Sequence, residues 1–442
     1  MTYQETLDYL YHRLPMFTRD GSVAFKKDLT NTLALCHVMG DPHTRFRSIH
    51  VAGTNGKGST SHALASIFQH AGYRTGLYTS PHLVDFRERI RINGELIPEG
   101  RVTEFVARYQ ADIERIKPSF FEVTVAMAFQ YFADEHVDIA IIETGLGGRL
   151  DSTNIIRPEL SLITNIGWDH ADMLGDNLPA IAREKAGIMK PLVPMIISEY
   201  QEELAPIFSE MATELQSPLI FASERYQSQA LGRDVQGQRI AVSRRTQIKG
   251  QIEDEIDPHT EPQTYVLDLL GTYQAKNLIG ILAAVDQLRT QGWVLPESQM
   301  QDALSSVQRT TGLRGRWEVH STAPLVICDT GHNEDGWREI LQNIALTPHR
   351  RLHWVLGVMG DKDLSRMLPL LPRDAAYYFC QVDMPRAMPA GELAEMAQNY
   401  QLSGTPYPDV HEALKAAEDQ ADLEDLIVVG GSTFVVGELL AG

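Results

Sequence analysis

The sequence lacks the features that would place the protein in a membrane or outside the cell. It contains no apolar run of the roughly eighteen residues that a membrane-spanning helix needs. Met1–Leu14 lacks the basic-then-apolar layout of a signal peptide. Cysteine is scarce, and Cys36, Cys328 and Cys380 show no metal-type spacing. A sparse, odd set of cysteines favours a reducing compartment, so we expect a cytoplasmic protein without membrane association.

Positive charge is also scarce. The chain carries 39 Lys and Arg against 58 Asp and Glu, for a formal net charge of −19. A surface this acidic disfavours nucleic acid, which is bound through basic patches that displace counterions. It also repels anionic substrates at long range, so a phosphate or carboxylate site must be built locally from helix ends, metal ions and a few cations. The charge keeps a monomer soluble, and we expect a monomer, although the charge does not exclude a dimer.

The length of 442 residues exceeds what one hydrophobic core usually serves, so we expect two domains. The first half alternates short apolar runs with helical patterns such as residues 59–71 and 120–133. The predicted strands are residues 48–52, 74–79, 137–143, 160–165 and 194–198. This alternation predicts an α/β fold with a mainly parallel sheet covered on both faces.

The second half of the chain predicts a smaller domain. Residues 222–269 are polar and predict an antiparallel excursion that ends in a strand at 265–269, before a helix at 274–288. Residues 307–315 are polar, contain glycine and form the predicted linker. Beyond them the alternation restarts, with predicted strands at residues 325–328, 352–358, 376–381 and 426–429. We therefore predict a large domain at residues 1–309 and a smaller Rossmann-like α/β domain at residues 310–442.

Gly53–Ser59 (GTNGKGS) is the strongest local indication of function, because it lies between a predicted strand and a predicted helix. Small residues let backbone N–H groups face phosphate oxygens, the helix offers its positive end, and Lys57 adds a charge. The loop is not a strict Walker A motif, since Val51 replaces its first glycine and Gly58 follows the lysine. A ligand-free glycine turn is the alternative. The lysine and its context favour phosphate binding, which makes the large domain a P-loop domain.

Three further polar residues follow predicted strands. Glu143 leaves a buried strand at the edge where parallel sheets bind ligands, and it either holds Mg²⁺ or caps the next segment. His170 is a metal ligand, a general base or a structural histidine. Ser80 precedes Pro81, and its hydroxyl either completes a magnesium shell or belongs to a simple turn. The residues alone leave these alternatives open.

Charged motifs elsewhere are less specific. Lys185 lies in a helical Glu–Lys pattern that by itself favours a solvated face. Residues 329–333 (DTGHN) and 360–363 (GDKD) follow strands of the second domain and are candidates for a cleft between the domains.

Asn93-Gly94 is typical of a type I′ hairpin turn. Arg87, Arg89 and Arg91 alternate along the strand predicted before it, which would place all three on one face. They would either pair with substrate carboxylates or form a solvated edge.

Together and in this order, the motifs resemble the folylpolyglutamate synthase/dihydrofolate synthase family within the Mur ligase superfamily. The resemblance spans essentially the whole chain through GTNGKGS, TSPH, RERIRING, FFE, ETGLGGRLDSTN, GWDH, EKAGI, GTYQAKN, GRWE, DTGHN and GSTFVVGE. Gly58 after the lysine is typical of this branch, whereas cell-wall ligases usually have Ser or Thr there and a further domain before the loop. DTGHN stands where the family commonly has DGAHN, and it retains Asp329 and His332.

The resemblance implies roles for particular residues. The implied ATP-binding residues are Gly53, Thr54, Asn55, Gly56, Lys57, Gly58, Ser59, Asn277, Arg316 and Asp329. The implied ligands of two Mg²⁺ ions are Ser80, Glu143, His170 and a carbamylated Lys185. The implied catalytic residues are Lys57, His170, Lys185, Asp329 and His332. The implied substrate-binding residues are Phe25, Lys26, Ser119, Phe120, Phe121, Glu122, Leu150, Asp151 and Ser152.

The implied activity is ATP-dependent ligation of L-glutamate to dihydropteroate, to reduced folate or to both, through an acyl phosphate and with release of ADP. A bifunctional enzyme is the favoured prediction, although the sequence does not separate the two activities. The alternatives are another Mur-type amide ligase, a P-loop kinase or ATPase with a different substrate, and a nucleotide-binding regulatory module. The last would not need Glu143 and His170 together.

Overall fold

The computed structural model of the chain describes residues 1–21, 28–248, 251–256, 261–360 and 363–442. The α-helices are α1 Tyr3–Arg13, α2 Phe17–Asp20, α3 Thr30–Val38, α4 Lys57–His70, α5 Glu99–Ile116, α6 Phe120–Asp134, α7 Ala171–Leu174, α8 Leu178–Ala186, α9 Ala205–Leu215, α10 Ala222–Arg225, α11 Gln274–Thr290, α12 Glu297–Leu304, α13 Val307–Thr311, α14 Glu334–Ala345, α15 Ala390–Gln398, α16 Val410–Gln420 and α17 Thr433–Ala441. The strands are β1 Ser48–Ala52, β2 Thr75–Tyr78, β3 Ile90–Ile92, β4 Glu95–Leu96, β5 Ile139–Glu143, β6 Leu160–Ile163, β7 Met195–Ile197, β8 Leu219–Phe221, β9 Tyr226–Arg233, β10 Gln238–Ile248, β11 Gln251–Ile256, β12 Gln263–Leu267, β13 Glu318–Thr322, β14 Leu325–Asp329, β15 Leu352–Leu356, β16 Ala376–Phe379, β17 Gly404–Pro406 and β18 Leu426–Gly430. Short 3-10 helices cover Pro42–Thr44, Phe86–Arg89, Ser152–Ile155, Leu364–Arg366 and Leu368–Leu370.

The largest sheet in the described part of the chain has eight strands in the order β4-β3-β2-β5-β1-β6-β7-β8. The neighbouring strands β2, β5, β1, β6, β7 and β8 pair in parallel. β3 and β4 add an antiparallel edge next to β2. β1 lies between β5 and β6, with Val51 opposite Glu143 and Ala52 opposite Ile163. The residues after β1 therefore lie between the ends of two neighbouring strands, where open parallel sheets bind ligands.

Both faces of this sheet are covered by helices. Ile139 and Ile141 of β5 belong to a core with α4 and α11. Ala140 and Ile142 point to the opposite face and belong to a core with α5 and α6. Since β5 is buried along its whole length, it appears in the sequence as a continuous apolar run instead of an alternating one.

A small antiparallel sheet contains β9, β10, β11 and β12, with β10 paired to each of the others. It packs on α11 and α12 through two tyrosines. The Tyr226 hydroxyl donates to Asp286, and the Tyr265 hydroxyl donates to Glu297 Oε1 at 3.1 Å. The predicted antiparallel excursion is confirmed, although its last strand begins at Gln263, slightly before the predicted residues.

The C-terminal part forms a sheet with the order β13-β14-β18-β15-β16-β17 among the described residues. Its pairs are parallel except β13 with β14. Helices cover both faces and enclose two separate apolar cores. The sequence did not predict β13 and β17, because the first is a partly exposed edge strand and the second is a short exposed one. The end of β14 carries Asp329, opposite Gly430 of β18.

The predicted fold class, a mainly parallel P-loop sheet with a smaller Rossmann-like α/β unit, is confirmed by these two sheets. The predicted linker at residues 307–315 begins with the short helix α13, and its role as a linker stays a prediction. Asp268 stabilises the start of that helix by accepting from the Gln308 amide at 2.8 Å, a contact that the local pattern cannot reveal. The boundary at residues 309 and 310 stays a prediction and falls inside α13. No helix in the described ranges combines the length and apolarity needed to cross a membrane.

The predicted hairpin is confirmed, since Asn93 and Gly94 have φ of 51° and 80°, as a type I′ turn requires. The prediction that three arginines share one strand face is wrong. A capping box closed by Glu88 starts a 3-10 helix at Phe86–Arg89, so only Arg91 lies in β3. Arg87 pairs with Asp85 instead.

Candidate active site

The loop Gly53–Ser59 connects β1 to the 14-residue helix α4. Gly53 and Gly56 have φ of 144° and 85°, and a Cβ at either position would collide with the side chain of Thr164 or Asn277. Lys57 folds back over the loop and donates to the carbonyl oxygens of Gly53 and Thr54 at 3.1 and 3.0 Å. The backbone therefore directs the start of a helix and a lysine at one point, the geometry of a phosphate site.

The end of β6 holds this loop in place. The Thr54 amide donates to the Asn165 carbonyl oxygen at 3.0 Å, and the Asn55 amide donates to Asn165 Oδ1 at 2.9 Å. The Gly167 amide donates to Thr54 Oγ1 at 2.9 Å. These bonds occupy the outer side of the loop with polar partners, so its shape is fixed by its neighbours.

The start of α11 supports the loop from another side. Gln274 Nε2 donates to the hydroxyl of Ser59 at 3.0 Å, and Asn277 Nδ2 donates to Gln274 Oε1 at 2.8 Å. Asn277 also lies against Gly56, as the collision described above indicates. The predicted nucleotide residue Asn277 is thus next to the predicted phosphate loop.

Glu143 lies at the end of β5 and is 4% exposed. Burial raises the pKa of its carboxyl, while the nearby charge of Lys57, the Ser80 amide and Arg316 oppose that shift. The Ser80 amide donates to Glu143 Oε2 at 3.1 Å. A Cβ at Gly58 would lie 3.9 Å from Glu143 Oε1 and 3.5 Å from Arg316 Nη2. Glu143, Ser80 and Arg316 therefore meet at the first turn of α4.

This group of residues fits a divalent cation. A buried carboxylate beside a phosphate loop is costly unless a positive group compensates it. Mg²⁺ prefers a few carboxylate or hydroxyl ligands together with water and phosphate oxygens, which matches Glu143 and Ser80 beside the loop. Within the described residues no three His, Cys, Asp or Glu side chains group around a possible ion. The predicted ligand set includes only two side chains of those types, Glu143 and His170.

Lys185 is buried on α8, so the solvated-face interpretation is wrong for it. Its Nζ donates to the Gly53 carbonyl oxygen at 2.8 Å. Burial, and then the charge of Lys57, lowers the pKa of Lys185 to about 7, against the opposing charges of Asp169 and Asp151. The neighbouring Glu184 does face outward.

Asp169 brings residues of both sheets together. Its Oδ1 accepts from the His170 amide at 3.0 Å, and the His170 Nε2 lies 3.8 Å from Oδ2. His332, after β14, places its Nε2 3.2 Å from the same Oδ2. The predicted residues His170 and His332 are therefore neighbours across the cleft between the two sheets.

Asp329 is buried, and its carboxylate is held by three donors. Asp329 Oδ2 accepts from the Tyr273 hydroxyl and the Trp317 amide, each at 2.8 Å, and Oδ1 accepts from the Gly331 amide at 2.8 Å. Burial raises the pKa of this carboxyl, which these donors and Arg316 oppose. Asp329 therefore joins the start of α11 to the segment that carries Arg316.

The predicted substrate residues divide into two groups. Ser119 and Glu122 form the capping box of α6, with the Glu122 amide donating to Ser119 Oγ at 3.3 Å and the Ser119 amide donating to Glu122 Oε2 at 2.6 Å. Asp151 accepts from the amides of Leu146 and Thr153 at 2.8 and 3.0 Å. Ser152 is buried and Leu150 is half-buried. These contacts give Ser119, Glu122 and Asp151 structural roles that the sequence interpretation did not assign.

The aromatic pair Phe120 and Phe121 faces a mixed polar and aromatic wall. Phe120 stacks on Tyr11 at 5.5 Å between ring centroids, and the Arg89 guanidinium lies 5.3 Å from its ring. A Cβ at Gly145, two residues after Glu143, would collide with Phe121. The predicted substrate residues Phe25 and Lys26 lie outside the described residues.

Sequence reasoning assigned no role to His82, Asp169, Tyr273 or Asn333, and it left Arg89 open between a substrate contact and a solvated edge. Arg89 Nε donates to His82 Nδ1 at 2.7 Å, and burial together with the Arg89 charge lowers the pKa of His82 to about 3. Asp169, Tyr273 and Asn333 also make central contacts. All of these residues belong to the motifs quoted above, so the motifs pointed to the right segments of the chain. The spacing within a motif could not show which of its residues faces the cleft.

Comparison with known proteins relates the whole chain to one group. Residues 51–285 match the Mur ligase middle domain, and residues 315–433 match the Mur ligase glutamate ligase domain. The dihydrofolate synthase/folylpolyglutamate synthase of Bacillus subtilis is 30% identical over 99% of this chain and 98% of its own length. A probable bifunctional folylpolyglutamate synthase/dihydropteroate synthase of Haloferax volcanii is 31% identical over 99% of this chain. This chain spans only 50% of that relative's length.

Solved structures agree with the sequence comparison. Escherichia coli FolC in complex with DHPP and ADP has a TM-score of 0.84 and 29% identity, over 100% of this chain and 97% of that one. The bifunctional folylpolyglutamate synthase/dihydrofolate synthase of Yersinia pestis, complexed with AMPPNP and Mn ion, has a TM-score of 0.80 and 27% identity, over 100% and 98%. The chain therefore belongs to the folylpolyglutamate synthase/dihydrofolate synthase family of Mur ligases.

Proposed function

We propose that this protein is an ADP-forming ligase that joins L-glutamate through an amide bond to dihydropteroate and to reduced folate. The observation that carries the proposal is the convergence of a phosphate loop, the buried Glu143 and the buried Lys185 at the end of β1, in a member of this family. The names of its relatives support both activities, because the Bacillus subtilis protein is called a dihydrofolate synthase and a folylpolyglutamate synthase.

ATP binds with its phosphates on the loop Gly53–Ser59. Backbone N–H groups of the loop, the start of α4 and Lys57 contact the phosphate oxygens, and Arg316 adds a cation beside Gly58. Asn277 and Asp329 contact the remainder of the nucleotide, in accordance with the family resemblance. The relatives crystallised with ADP or AMPPNP support this assignment.

Two Mg²⁺ ions would be held by Ser80, Glu143, His170 and Lys185. When bound, Mg²⁺ neutralises charge on the transferring phosphate and on its leaving group. The Yersinia pestis relative crystallised with a Mn ion supports the use of a divalent metal. Lys185 acts as a ligand after carbamylation. Its pKa of about 7 supports this step, because the neutral amine that reacts with CO₂ is then well populated near neutral pH.

The reaction proceeds in two transfers. The carboxylate of the pterin substrate attacks the γ-phosphorus of ATP, which gives an acyl phosphate and ADP. The glutamate amine then attacks the acyl carbon, and phosphate leaves. The protein contributes mainly position and charge. Lys57 and Arg316 face the phosphates. The second domain, which carries His332, excludes water from the acyl phosphate.

The pterin substrate lies beside Phe120, Phe121 and Leu150–Ser152. Phe121 lies against Gly145, two residues after Glu143, so a substrate ring packed on Phe121 would lie near the end of β5. The resemblance adds Phe25 and Lys26 to this side. A monomeric state and a cytoplasmic location remain predictions.

The test is ADP release with ATP, Mg²⁺ and L-glutamate, with dihydropteroate and tetrahydrofolate compared as acceptors. Glutamate-dependent release with both acceptors is expected, and release with one alone would limit the enzyme to that activity. Lys57→Ala is expected to abolish release without unfolding the protein, whereas Lys415→Ala, at an exposed position on α16, is expected to change nothing. Release that does not depend on glutamate would favour an ATPase instead.

A further inference from the structure

Asn333 makes an unusually complete set of contacts at the cleft. It is 4% exposed and is the N-cap of the 12-residue helix α14, with Oδ1 accepting from the Gly336 amide at 2.8 Å. The same Oδ1 accepts from Asn55 Nδ2 at 3.2 Å. Asn333 Nδ2 donates to Asn55 Oδ1 at 3.0 Å and to Asp169 Oδ2 at 3.2 Å. One side chain thus contacts its own helix, the phosphate loop and the segment that follows β6.

These four bonds use all the donor and acceptor capacity of a primary amide. A helix cap alone would require only an acceptor, which Ser, Thr or Asp supplies equally well. The two donor bonds to Asn55 and Asp169 require an NH₂ group, so the amide at position 333 serves the contact between the sheets as well as the cap.

The surrounding backbone permits this close approach. A Cβ at Gly167 would collide with the Asp335 carboxylate in the first turn of α14. Asn55 is itself fixed, because its amide donates to Asn165 Oδ1 at 2.9 Å and its carbonyl oxygen accepts from the Thr164 hydroxyl at 2.5 Å. The start of α14 therefore rests on a rigid part of the phosphate loop.

We propose that Asn333 is a positioning residue that docks the second domain on the phosphate loop and holds His332 at Asp169. Because His332 directly precedes it, the amide bonds fix the distance from His332 to Asp169, which is 3.2 Å between Nε2 and Oδ2. Loss of the docking would leave the phosphate loop intact but misplace the second domain during phosphoryl transfer. The inference rests on the proposed function.

The decisive variant is Asn333→Asp, which keeps the cap acceptor for Gly336 but cannot donate to Asn55 or Asp169. Its new carboxylate also faces that of Asp169. We expect kcat to fall about 100-fold, with the KM for ATP changed by less than about threefold, since the backbone of Asn55 keeps its bonds to Asn165 and Thr164. Asn333→Ser keeps a cap acceptor without adding charge, and we expect kcat to fall about tenfold.

Asp409→Asn is the matched control. Asp409 is the N-cap of α16, where its Oδ1 accepts from the Glu412 amide at 2.8 Å. The test variant replaces an amide by a carboxylate, and this control replaces a carboxylate by an amide. The control lies at a helix N-cap in the same domain but away from the cleft. Unchanged kcat and KM are expected. Circular dichroism of each variant verifies that the overall helix content is unchanged.

Small-angle X-ray scattering gives a readout that does not need activity. With AMPPNP and Mg²⁺, Asn333→Asp should have a larger radius of gyration than the wild type, because the second domain is no longer docked. The proposal is overturned if the kcat of Asn333→Asp stays within about twofold of the wild-type value, whether or not the KM for ATP rises. If the wild type shows no glutamate-dependent ADP release, the proposed function fails. The scattering comparison then tests the docking role of Asn333 by itself, and equal radii of gyration for the wild type and Asn333→Asp would overturn that role.

Discussion

Lys57 and Lys185 donate to the same carbonyl oxygen, that of Gly53, at 3.1 and 2.8 Å. Before Lys185 is carbamylated, two cations on one acceptor disfavour each other, and the charge of Lys57 contributes to the lowered pKa of the Lys185 amine. The loop therefore favours an incoming anion through charges placed within a few ångströms, although the net charge of −19 repels anions at a distance.

Replacing Glu143 by Gln should separate stability from activity. Burial raises the pKa of Glu143, so the charged form of its carboxyl is less favourable in the folded protein than in the unfolded chain, which costs stability above the unfolded pKa. The neutral amide removes that cost and still accepts from the Ser80 amide. Thermal unfolding should therefore shift to higher temperature, while kcat falls by about 100-fold or more because the proposed cation loses its charged ligand. A less stable variant would contradict the electrostatic argument.

His50 provides a test of pH dependence. It is fully buried in β1, and burial lowers the pKa of its imidazole to about 3. Between pH 6.5 and 3 the unfolded chain therefore binds a proton that the folded protein does not, so this residue costs stability as the pH falls. Relative to His50→Gln, the wild type should lose about 1.4 kcal/mol of unfolding free energy for each pH unit below about 6.5. Urea titrations of both proteins at several pH values measure the difference in unfolding free energy. A difference that stays constant with pH would contradict the prediction.

Residue types and spacing were enough to select side chains that lie close together around the loop Gly53–Ser59, such as Lys57 and Glu143. They could not show burial, and burial is what distinguishes Lys185 from the adjacent Glu184. They also could not show that Ser119 and Glu122 serve as a helix cap, because a capping box and a ligand site can use the same residues.

At the scale of elements, the start of α11 links the two parts of the site. Gln274 donates to Ser59 of the phosphate loop, and the adjacent Tyr273 donates to Asp329 of β14. Asp329 in turn holds the amides of Trp317 and Gly331, the neighbours of Arg316 and His332. One helix end therefore sets the position of Arg316 and His332 relative to the loop.

Tyr273→Phe tests this link. The ring remains, but Asp329 loses one of its three donors, and a hydrogen bond to a charged group contributes about 1.5–3 kcal/mol. We expect kcat/KM for ATP to fall about tenfold or more.

Tyr265→Phe is the control, because it removes a buried hydroxyl that donates to Glu297 at 3.1 Å, away from the cleft. If both variants lose stability but neither changes the kinetics, the Tyr273 contact is structural only.

Elements with a strong period were predicted well, and elements held by distant partners were not. The buried strands β1 and β5 and the hairpin at Asn93-Gly94 follow from local pattern and turn chemistry. α13 depends on Asp268, and the 3-10 helix before β3 depends on a capping box within a segment that alternates like a strand. In both cases a side-chain bond to the backbone outweighed the local preference.

At the scale of the molecule, the α/β fold and the family were predicted correctly from the order of the motifs. The contacts across the cleft were not, since they join residues such as Asn55 and Asn333 that are far apart in sequence. A motif shows that a residue is suited to a site, whereas its partner across the cleft depends on how two sheets pack together.

The position of β1 between β5 and β6 also has a consequence for synthesis on the ribosome. Residues 48–52 emerge early, yet their strand partners are residues 139–143 and 160–163, and the support for Ser59 comes from Gln274. A nascent chain that has exposed the phosphate loop therefore cannot yet give it a fixed shape. Premature nucleotide binding by an incomplete polypeptide is thereby disfavoured, and the loop becomes competent only after well over half of the chain has been translated.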